Sequence, residues 1–220
     1  DPLWSRGLGD VYKRQLLDFF KQAETAGYGN CILDIRGNGG GSTNYWLQNI
    51  VEPNLKKPVT FWSYELIKGE AARNYRSLSG PLQPISDLPD LPKVNKGDLA
   101  QMRYCVVGKN MLEPNNKKPV FSGKFYLLTD ERVYSSSEAF ALFCKQTGFA
   151  TIAGDATGGD GVGVDPILFS LPNSGVCFRF SAELGLNPDG SSNEEFGTQP
   201  DLPREEGKDA LETCLAQINR

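Results

Sequence analysis

The apolar positions in the first part of the chain predict a helix, a strand and a second helix. Apolar residues at helical spacing begin at Leu16 and stop before Gly27, a residue type that commonly ends helices, so we predict a short amphipathic helix there. The mostly apolar run at 30–36, NCILDIR, lies between glycines and predicts a strand buried on both faces. The pattern at 43–51 predicts the next helix.

The second half of the chain repeats the order of strand, turn and helix. We predict strands at 124–129, 149–153, 167–171 and 176–181, and helices at 136–147 and 207–218. Strands give way to helices near Arg36 and again near Ser135. Because a helix covers each passage, the pattern predicts a layered α/β core.

The chain divides into a leader and one domain. Residues 1–15 show no clear period and match nothing that follows, so we expect a non-native leader, with a genuine tail as the alternative. Residues 16–220 are predicted to form a single, N-terminally truncated core domain. Within it, the proline-rich stretch at 52–118 predicts an irregular insert or cap with a short helix near 69–76.

Composition argues against several classes of protein. A net charge of −4 gives no electrostatic reason to expect nucleic acid, and no apolar run reaches the roughly 20 residues that span a bilayer. The five cysteines are odd in number and contain no Cys-x-x-Cys pair, which favours buried free thiols over a zinc site or a disulfide framework. The sequence has no histidine, so a Ser-His-Asp triad cannot be completed within it.

The segment DERVYSSSEAFALF places three serines, at 135–137, where a strand gives way to a helix. A hydroxyl at a helix N-terminus faces unpaired backbone N–H groups and the positive end of the helix dipole, both of which favour an oxyanion. The spacing Ser135-x-x-Glu138 is also that of a capping box. On this segment alone, a helix cap is the better interpretation.

The segment DIRGNGGGS, at 34–42, places four glycines directly after the first predicted strand. Glycine allows backbone N–H groups to approach a ligand closely. A phosphate loop is disfavoured because no Lys-Ser/Thr pair ends the segment, whereas an ordinary tight turn stays open. For Arg36, within this segment, we expect a structural ion pair.

Together, the two segments resemble the C-terminal processing, or tail-specific, family of serine proteases. The matching segments, in family order, are DIRGNGGG at 34–41, LLTDERVYSSSE at 127–138, TIAGDATGGDG at 151–161, and PDG at 188–190 with EEFGTQPD at 194–201. The resemblance covers roughly residues 16–205. It implies an α/β spiral core of the crotonase and Clp-protease type, and a serine peptidase that hydrolyses peptide bonds through an acyl-enzyme.

The resemblance also implies roles for individual residues. Ser135 corresponds to the nucleophile, and the N–H of Ser136 to one arm of the oxyanion hole. Gly40, or its neighbour Gly41, corresponds to the other arm. Glu194 corresponds to a glutamate of the tricorn-core-like branch of the family, with Glu195 as the fallback.

No residue of this sequence corresponds to the general base of the family. The tail-specific branch uses a lysine, but Asp160 stands at the matching position, which rules out the simple Ser-Lys dyad. The tricorn-core-like branch instead uses a histidine from an earlier part of the domain. We therefore expect the full-length gene to encode a histidine upstream of Leu16, and the chain as given to be a poor peptidase.

The family resemblance also has implications for cofactors and partners. No metal or organic cofactor is implied; a calcium cluster of Asp189, Glu194, Glu195 and Asp201 is the alternative, although their spacing fits no calcium loop. The implied partner is a peptide or protein substrate, and the family implies a cell-envelope, periplasmic or other extracytoplasmic location. The rival functions are a non-catalytic ligand- or peptide-binding module on the same fold and a crotonase-type acyl-CoA enzyme.

Overall fold

The computed structural model describes residues 3–69, 81–163 and 166–219, with side chains from residue 14 onward. The strands are β1 (Asn30–Asp34), β2 (Val59–Ile67), β3 (Gln83–Pro84), β4 (Tyr104–Leu112), β5 (Lys124–Thr129), β6 (Ala150–Gly154), β7 (Ile167–Ser170), β8 (Cys177–Phe180), β9 (Glu183–Leu186) and β10 (Leu202–Pro203). The helices are α1 (Leu3–Thr25), α2 (Thr43–Trp46), α3 (Glu52–Asn54), α4 (Lys96–Leu99), α5 (Ser136–Thr147), α6 (Asn193–Phe196) and α7 (Ala210–Ile218), with a π-helical turn at Leu47–Val51 and a 3₁₀ turn at Ile85–Asp87.

A four-stranded parallel sheet, in the order β1-β5-β6-β10, carries the main core. Strand β5 is central, and successive side chains on it point to opposite faces. Phe125 and Leu127 pack with α1 and α5, whereas Tyr126 and Leu128 pack with α7. Helices therefore cover both faces of the sheet, which confirms the predicted layered α/β core.

The observed bounds and burial of β5 and its neighbouring elements agree with the sequence predictions to different degrees. Strand β5 and helix α5 have the predicted bounds, and Gly148 ends α5 in the left-handed conformation. Strand β1 lies at the edge of the sheet and is only half buried, so the prediction of a strand buried on both faces was wrong. The helix predicted at 43–51 forms as α2 and the π-helical turn, and α3 extends it to Asn54.

A second sheet, antiparallel and in the order β3-β4-β2-β9, occupies much of the proline-rich stretch. Strands β2 and β4 pair along their full length, from Val59 opposite Leu112 to Ile67 opposite Tyr104. The description of 52–118 as irregular was therefore wrong. Whether the stretch is an insert stays a prediction, and most of the helix predicted at 69–76 falls on residues 70–80, outside the described residues.

The first helix begins earlier than the sequence pattern indicates. Helix α1 runs from Leu3, whereas we predicted helical structure only from Leu16. Its buried anchors are Phe20 and Ala23, which pack into the main core. The non-native origin of residues 1–15 stays a prediction.

The cysteines and the helix lengths give two further facts about the chain. Each of the five cysteines is a free thiol, and all but Cys177 are buried. Among the described helices, none is both long enough and apolar enough to cross a membrane.

Candidate active site

Three loops meet at the carboxyl-terminal edge of the parallel sheet. The glycine segment follows β1, the serine segment follows β5, and the segment with Asp160 follows β6. Because β1, β5 and β6 are adjacent and parallel, their carboxyl ends lie side by side, which is where open α/β sheets place their ligands. Sheet topology therefore brings the glycine segment to two segments that are far from it in the chain, since Gly40 lies 95 residues before Ser135 and 120 before Asp160.

Ser135 has a strained backbone. Its φ is 55° and its ψ is −126°, and among the described residues only Asp160 is another non-glycine residue with positive φ. A residue other than glycine in such a conformation costs on the order of 1–3 kcal/mol and is typical of functional sites. Ser135 is partly exposed at the start of α5.

The side chain of Ser135 does not cap the helix. It accepts no hydrogen bond from the first turn of α5, although it occupies the N-cap position. Glu138, the other member of the supposed capping box, is fully buried and its carboxylate is bonded elsewhere. The helix-cap interpretation is therefore wrong, and the Ser135 hydroxyl is available for chemistry.

Gly40 lies directly against the turn that carries Ser135. A Cβ added to Gly40 would stand 2.8 Å from Ser135 Cβ and 3.0 Å from the Tyr134 carbonyl oxygen. Its φ of +112° also favours glycine. The position requires glycine for two independent reasons, space and backbone conformation.

Asn38 ties the glycine loop to the serine loop. Its Oδ1 accepts hydrogen bonds from Gly40 N–H at 3.0 Å and from Ser137 Oγ at 2.9 Å. Its carbonyl oxygen accepts from Tyr134 N–H at 3.2 Å. Since the Gly40 N–H is already used within its own loop, it is poorly placed to bind an oxyanion in this conformation.

A small pocket of about 130 Å³ opens beside the Ser135 side chain. Gly41 and Ser136 line it together with Ser135, whereas Gly40 lies behind. Across the described residues, the Ser136 N–H makes no hydrogen bond, and helix α5 begins at this residue. The geometry therefore favours the Gly41 and Ser136 N–H groups as donors to an oxyanion in the pocket.

Arg36 anchors the base of the glycine loop. Its guanidinium lies 2.6 Å from Asp34 Oδ2 and 3.2 Å from Asp209 Oδ2. Asp209 caps α7, and Asp130 accepts a hydrogen bond from the Gly37 N–H at 2.9 Å. The contacts of Arg36 are ion pairs that hold the loop, as the sequence predicted.

The third loop brings Asp160 to the rim of the pocket. The Gly159 carbonyl accepts from Ser135 N–H at 3.1 Å, and the neighbouring Asp160 lines the Ser135 pocket. Asp160 and Glu194 both bond to the Tyr134 hydroxyl, with Glu194 Oε1 at 3.2 Å. Burial, and then the two carboxylates, raise the pKa of Tyr134 well above its usual range.

The predicted site residues fall into two adjoining pockets. Ser135, Ser136 and Gly41 line the first, while Glu194 lines the second, of about 360 Å³, with Tyr134. Asp160 lines both pockets and so connects them. Glu194, rather than the fallback Glu195, is bonded to Tyr134.

Glu138 is a buried carboxyl that the sequence analysis assigned only to a cap. It is 0% exposed, and its Oε1 accepts from Asn193 Nδ2 at 2.6 Å and from Thr198 Oγ1 at 2.7 Å. Asn193 Oδ1 in turn accepts from the Gly161 N–H at 2.7 Å. Glu138 therefore joins α5 to the Asp160 loop and to the loop that carries Glu194.

Among the described residues, the second oxygen of Glu138, Oε2, is buried without a hydrogen-bond partner. The nearby Thr157 hydroxyl bonds to the backbone of Thr198. Burial raises the pKa of the Glu138 carboxyl, and the hydrogen bonds that it accepts offset only part of this effect. The fold therefore favours the neutral, protonated form of Glu138.

A pH-dependent stability follows from this carboxyl. Because the folded-state pKa of Glu138 lies above its ordinary value of 4.5, its contribution to stability is complete below pH 4.5 and is lost as the pH rises through the folded-state pKa. Glu138→Gln, which cannot ionise, is expected to lose less stability between pH 4 and pH 8 than the wild type. Urea unfolding at both values measures this, and equal losses in the two proteins would contradict it.

Three of the four acidic residues considered as a calcium cluster have separate partners. Asp189 pairs with Lys93 at 2.9 Å and Asp201 with Lys145 at 2.5 Å, while Glu194 bonds to Tyr134. The described part of the chain contains no group of three or more metal-ligating side chains. The pairing with Asp201 also holds Lys145 at the far end of α5, roughly 15 Å along the helix axis from Ser135.

Several residues of the site were not found from the sequence. Asn38, Asn193 and Tyr134 make side-chain hydrogen bonds to residues that are distant in the sequence. No local sequence pattern therefore identified them. Tyr134 had one available signal, since it directly precedes the predicted nucleophile.

Comparison with known proteins agrees with this geometry. The family model of Peptidase family S41 matches residues 9–204, so the chain belongs to that family. The resemblance to C-terminal processing proteases read from the sequence is confirmed. No curated protein matches the chain.

Solved structures share the fold. A putative peptidase from Parabacteroides merdae ATCC 43184 is 23% identical with a TM-score of 0.64, over 94% of this chain and 56% of that one. Mature CPAF complexed with lactacystin is 16% identical with a TM-score of 0.58, over 92% and 45%. The photosystem II D1 C-terminal processing protease is 18% identical with a TM-score of 0.50, over 88% and 39%. The chain thus spans about half the length of these proteins.

Proposed function

We propose that this chain carries the catalytic core of a serine peptidase in which Ser135 attacks the peptide carbonyl carbon. The observation that supports this most is the strained Ser135 at the start of α5, with φ of 55° and a hydroxyl that caps nothing. A cap would not require strain, because serine caps a helix in an ordinary extended conformation. Family membership agrees with this assignment.

The proposed reaction passes through an acyl-enzyme. The Ser135 oxygen bonds to the carbonyl carbon, and the carbonyl oxygen becomes an oxyanion that the N–H groups of Ser136 and Gly41 stabilise. The base accepts the Ser135 hydroxyl proton as this bond forms. The peptide C–N bond then breaks, and the leaving amine takes that proton from the base. Water hydrolyses the resulting ester and restores Ser135.

The group that accepts the Ser135 proton is not among the residues of this sequence. The sequence contains no histidine, and Asp160 occupies the position of the family lysine. We assign this role to a histidine supplied by the natural full-length protein, as in the tricorn-core-like branch. Glu194, joined through Tyr134 to the rim of the Ser135 pocket, stabilises the protonated base in this scheme.

Residues 1–220 alone are expected to hydrolyse peptides poorly. A serine hydroxyl needs a neighbouring group to accept its proton near neutral pH, and a carboxylate of ordinary pKa is too weak a base to do this well. Turnover of an unstructured protein by residues 1–220 and by the natural full-length protein measures the difference. Equal, efficient turnover by both would contradict the need for an added histidine.

A fluorophosphonate label tests the proposed nucleophile against the rival functions. In the natural full-length protein, the label is expected on wild type and on Ser137→Ala, but not on Ser135→Ala. Labelling of Ser135→Ala would refute the assignment. A protein that binds peptides but takes no label would favour the binding module. The specific observation for that module is that Asp160 stands where the tail-specific branch has its lysine.

The extracytoplasmic location is proposed from family resemblance alone.

A further inference from the structure

The hairpin of β7 and β8 carries an apolar face. Residues directly opposite one another share a face, so Ile167 lies beside Phe180 and Phe169 beside Phe178. A hydrogen bond of 2.9 Å from Leu171 N–H to the Val176 carbonyl continues the ladder to a third pair. The six apolar residues of this face are Ile167, Phe169, Leu171, Val176, Phe178 and Phe180.

This face is open to solvent. Phe178 lies 5.4 Å from Phe169 and 6.0 Å from Phe180, ring centre to ring centre, yet the three rings are 41–43% exposed. The opposite face is mixed, with Leu168, Ser170, Cys177 and Arg179. A contiguous exposed apolar surface of this kind marks an interaction site rather than ordinary surface.

The apolar face starts at the candidate active site. Pro166, directly before β7, lines both the Ser135 pocket and the adjoining pocket. Phe180 lines the adjoining pocket together with Tyr134 and Asp160. A chain that leaves the Ser135 pocket through the adjoining pocket therefore meets Phe180 first and Phe178 next.

The hairpin also offers backbone groups. Among the described strands, β7 and β8 pair only with each other, so the outer edge of each is unpaired. An extended polypeptide can hydrogen-bond to such an edge while its side chains contact the apolar face. Each strand has four residues and, at about 3.3 Å per residue, spans about 13 Å, enough for a short extended segment.

We propose that this apolar face is an exosite that binds large apolar side chains of an unfolded substrate polypeptide, several residues away from the bond held at Ser135. The inference rests on the proposed function, because the occupant is the substrate of the same site. Its support is the continuity of the face with the two pockets, and the class of substrate that it selects is an unfolded, apolar-rich chain.

Binding to the natural protein with Ser135→Ala tests the exosite without hydrolysis. The probe is fluorescently labelled, reduced and carboxymethylated α-lactalbumin, and the measurement is fluorescence anisotropy. Adding Phe178→Ser is expected to raise the Kd about tenfold or more, because buried aromatic anchors dominate such contacts. Leu168→Ser is the matched control: Leu168 is 65% exposed on the opposite face, and a change below twofold is expected.

The outcomes separate the exosite from the peptidase. An unchanged Kd in Phe178→Ser and in a second variant, Phe169→Ser, would overturn the exosite, even in an active peptidase. Weakened binding in both variants supports it, even if the wild type cleaves nothing and the proposed function fails. Dimerisation in sedimentation velocity that Phe178→Ser abolishes, with unchanged probe binding, would show instead that the face binds a second copy of the chain.

Discussion

Replacing Ser135 by alanine in the natural full-length protein is expected to lower peptide turnover by a factor on the order of 10⁶, as loss of a covalent nucleophile does. Stability is expected to stay nearly unchanged, because the Ser135 side chain makes no cap hydrogen bond that alanine would remove. Initial rates on an unstructured protein and urea unfolding measure the two effects. Wild-type turnover in Ser135→Ala would contradict the assignment of the nucleophile.

Two control variants separate chemistry from structure at this turn. Ser137→Ala removes one neutral hydrogen bond, to Asn38 Oδ1, and is expected to lower turnover by at most about tenfold. Ser135→Gly is expected to be as inactive as Ser135→Ala but more stable than it, by about 1 kcal/mol, because glycine adopts positive φ without strain. Equal stability of the alanine and glycine variants would show that the turn is not strained.

Replacing Gly40 by alanine is expected to lower turnover by roughly 100-fold, with Ser135 still present. The new Cβ would stand 2.8 Å from Ser135 Cβ, so the turn that carries Ser135 must move, and a displacement of about 1 Å is enough for such a loss. The φ of +112° adds backbone strain. Turnover and the unfolding midpoint, measured together, show whether the loss exceeds what reduced folding explains.

Gly39→Ala is the matched control for this change. Gly39 lies in the same loop, but a Cβ added to it has no heavy atom within 4 Å, and its φ is not positive. We expect turnover within about twofold of wild type. Equal losses in Gly39→Ala and Gly40→Ala would mean that any substitution in the loop is harmful and that contact with Ser135 is not the cause.

Local sequence patterns predicted the elements whose surroundings are local. The run KFYLLT gave the bounds of β5 because it is buried on both faces, and Gly148 gave the end of α5 because only the left-handed conformation closes that helix. Strands β2 and β4 were missed. Their paired residues lie 37 to 53 positions apart in the chain, and the prolines that bound the strands masked the β-branched and aromatic run VTFWSYELI.

The candidate site also divides into residues that could be predicted from the sequence and residues whose roles depend on distant contacts. Ser135, Ser136 and Gly41 were predicted because the two segments that contain them together resemble the family, whereas the serine segment alone favoured a helix cap. The pattern did not distinguish Gly40 from Gly41, because the bond between Gly40 N–H and Asn38 depends on the folded loop. The role of Glu138 as a buried connector depends on Asn193 and Thr198, some sixty residues away, and only the tertiary structure brings them together.

The acyl-enzyme itself is the most direct test of the central claim. The natural protein is mixed with an activated peptide ester, quenched in acid and digested with trypsin, which releases residues 133–145 with all three serines. Fragmentation of this peptide in the mass spectrometer locates the acyl group. The account predicts the added mass on Ser135. An acyl group on Ser136 or Ser137, or hydrolysis with no acyl group on this peptide at any time, would contradict it.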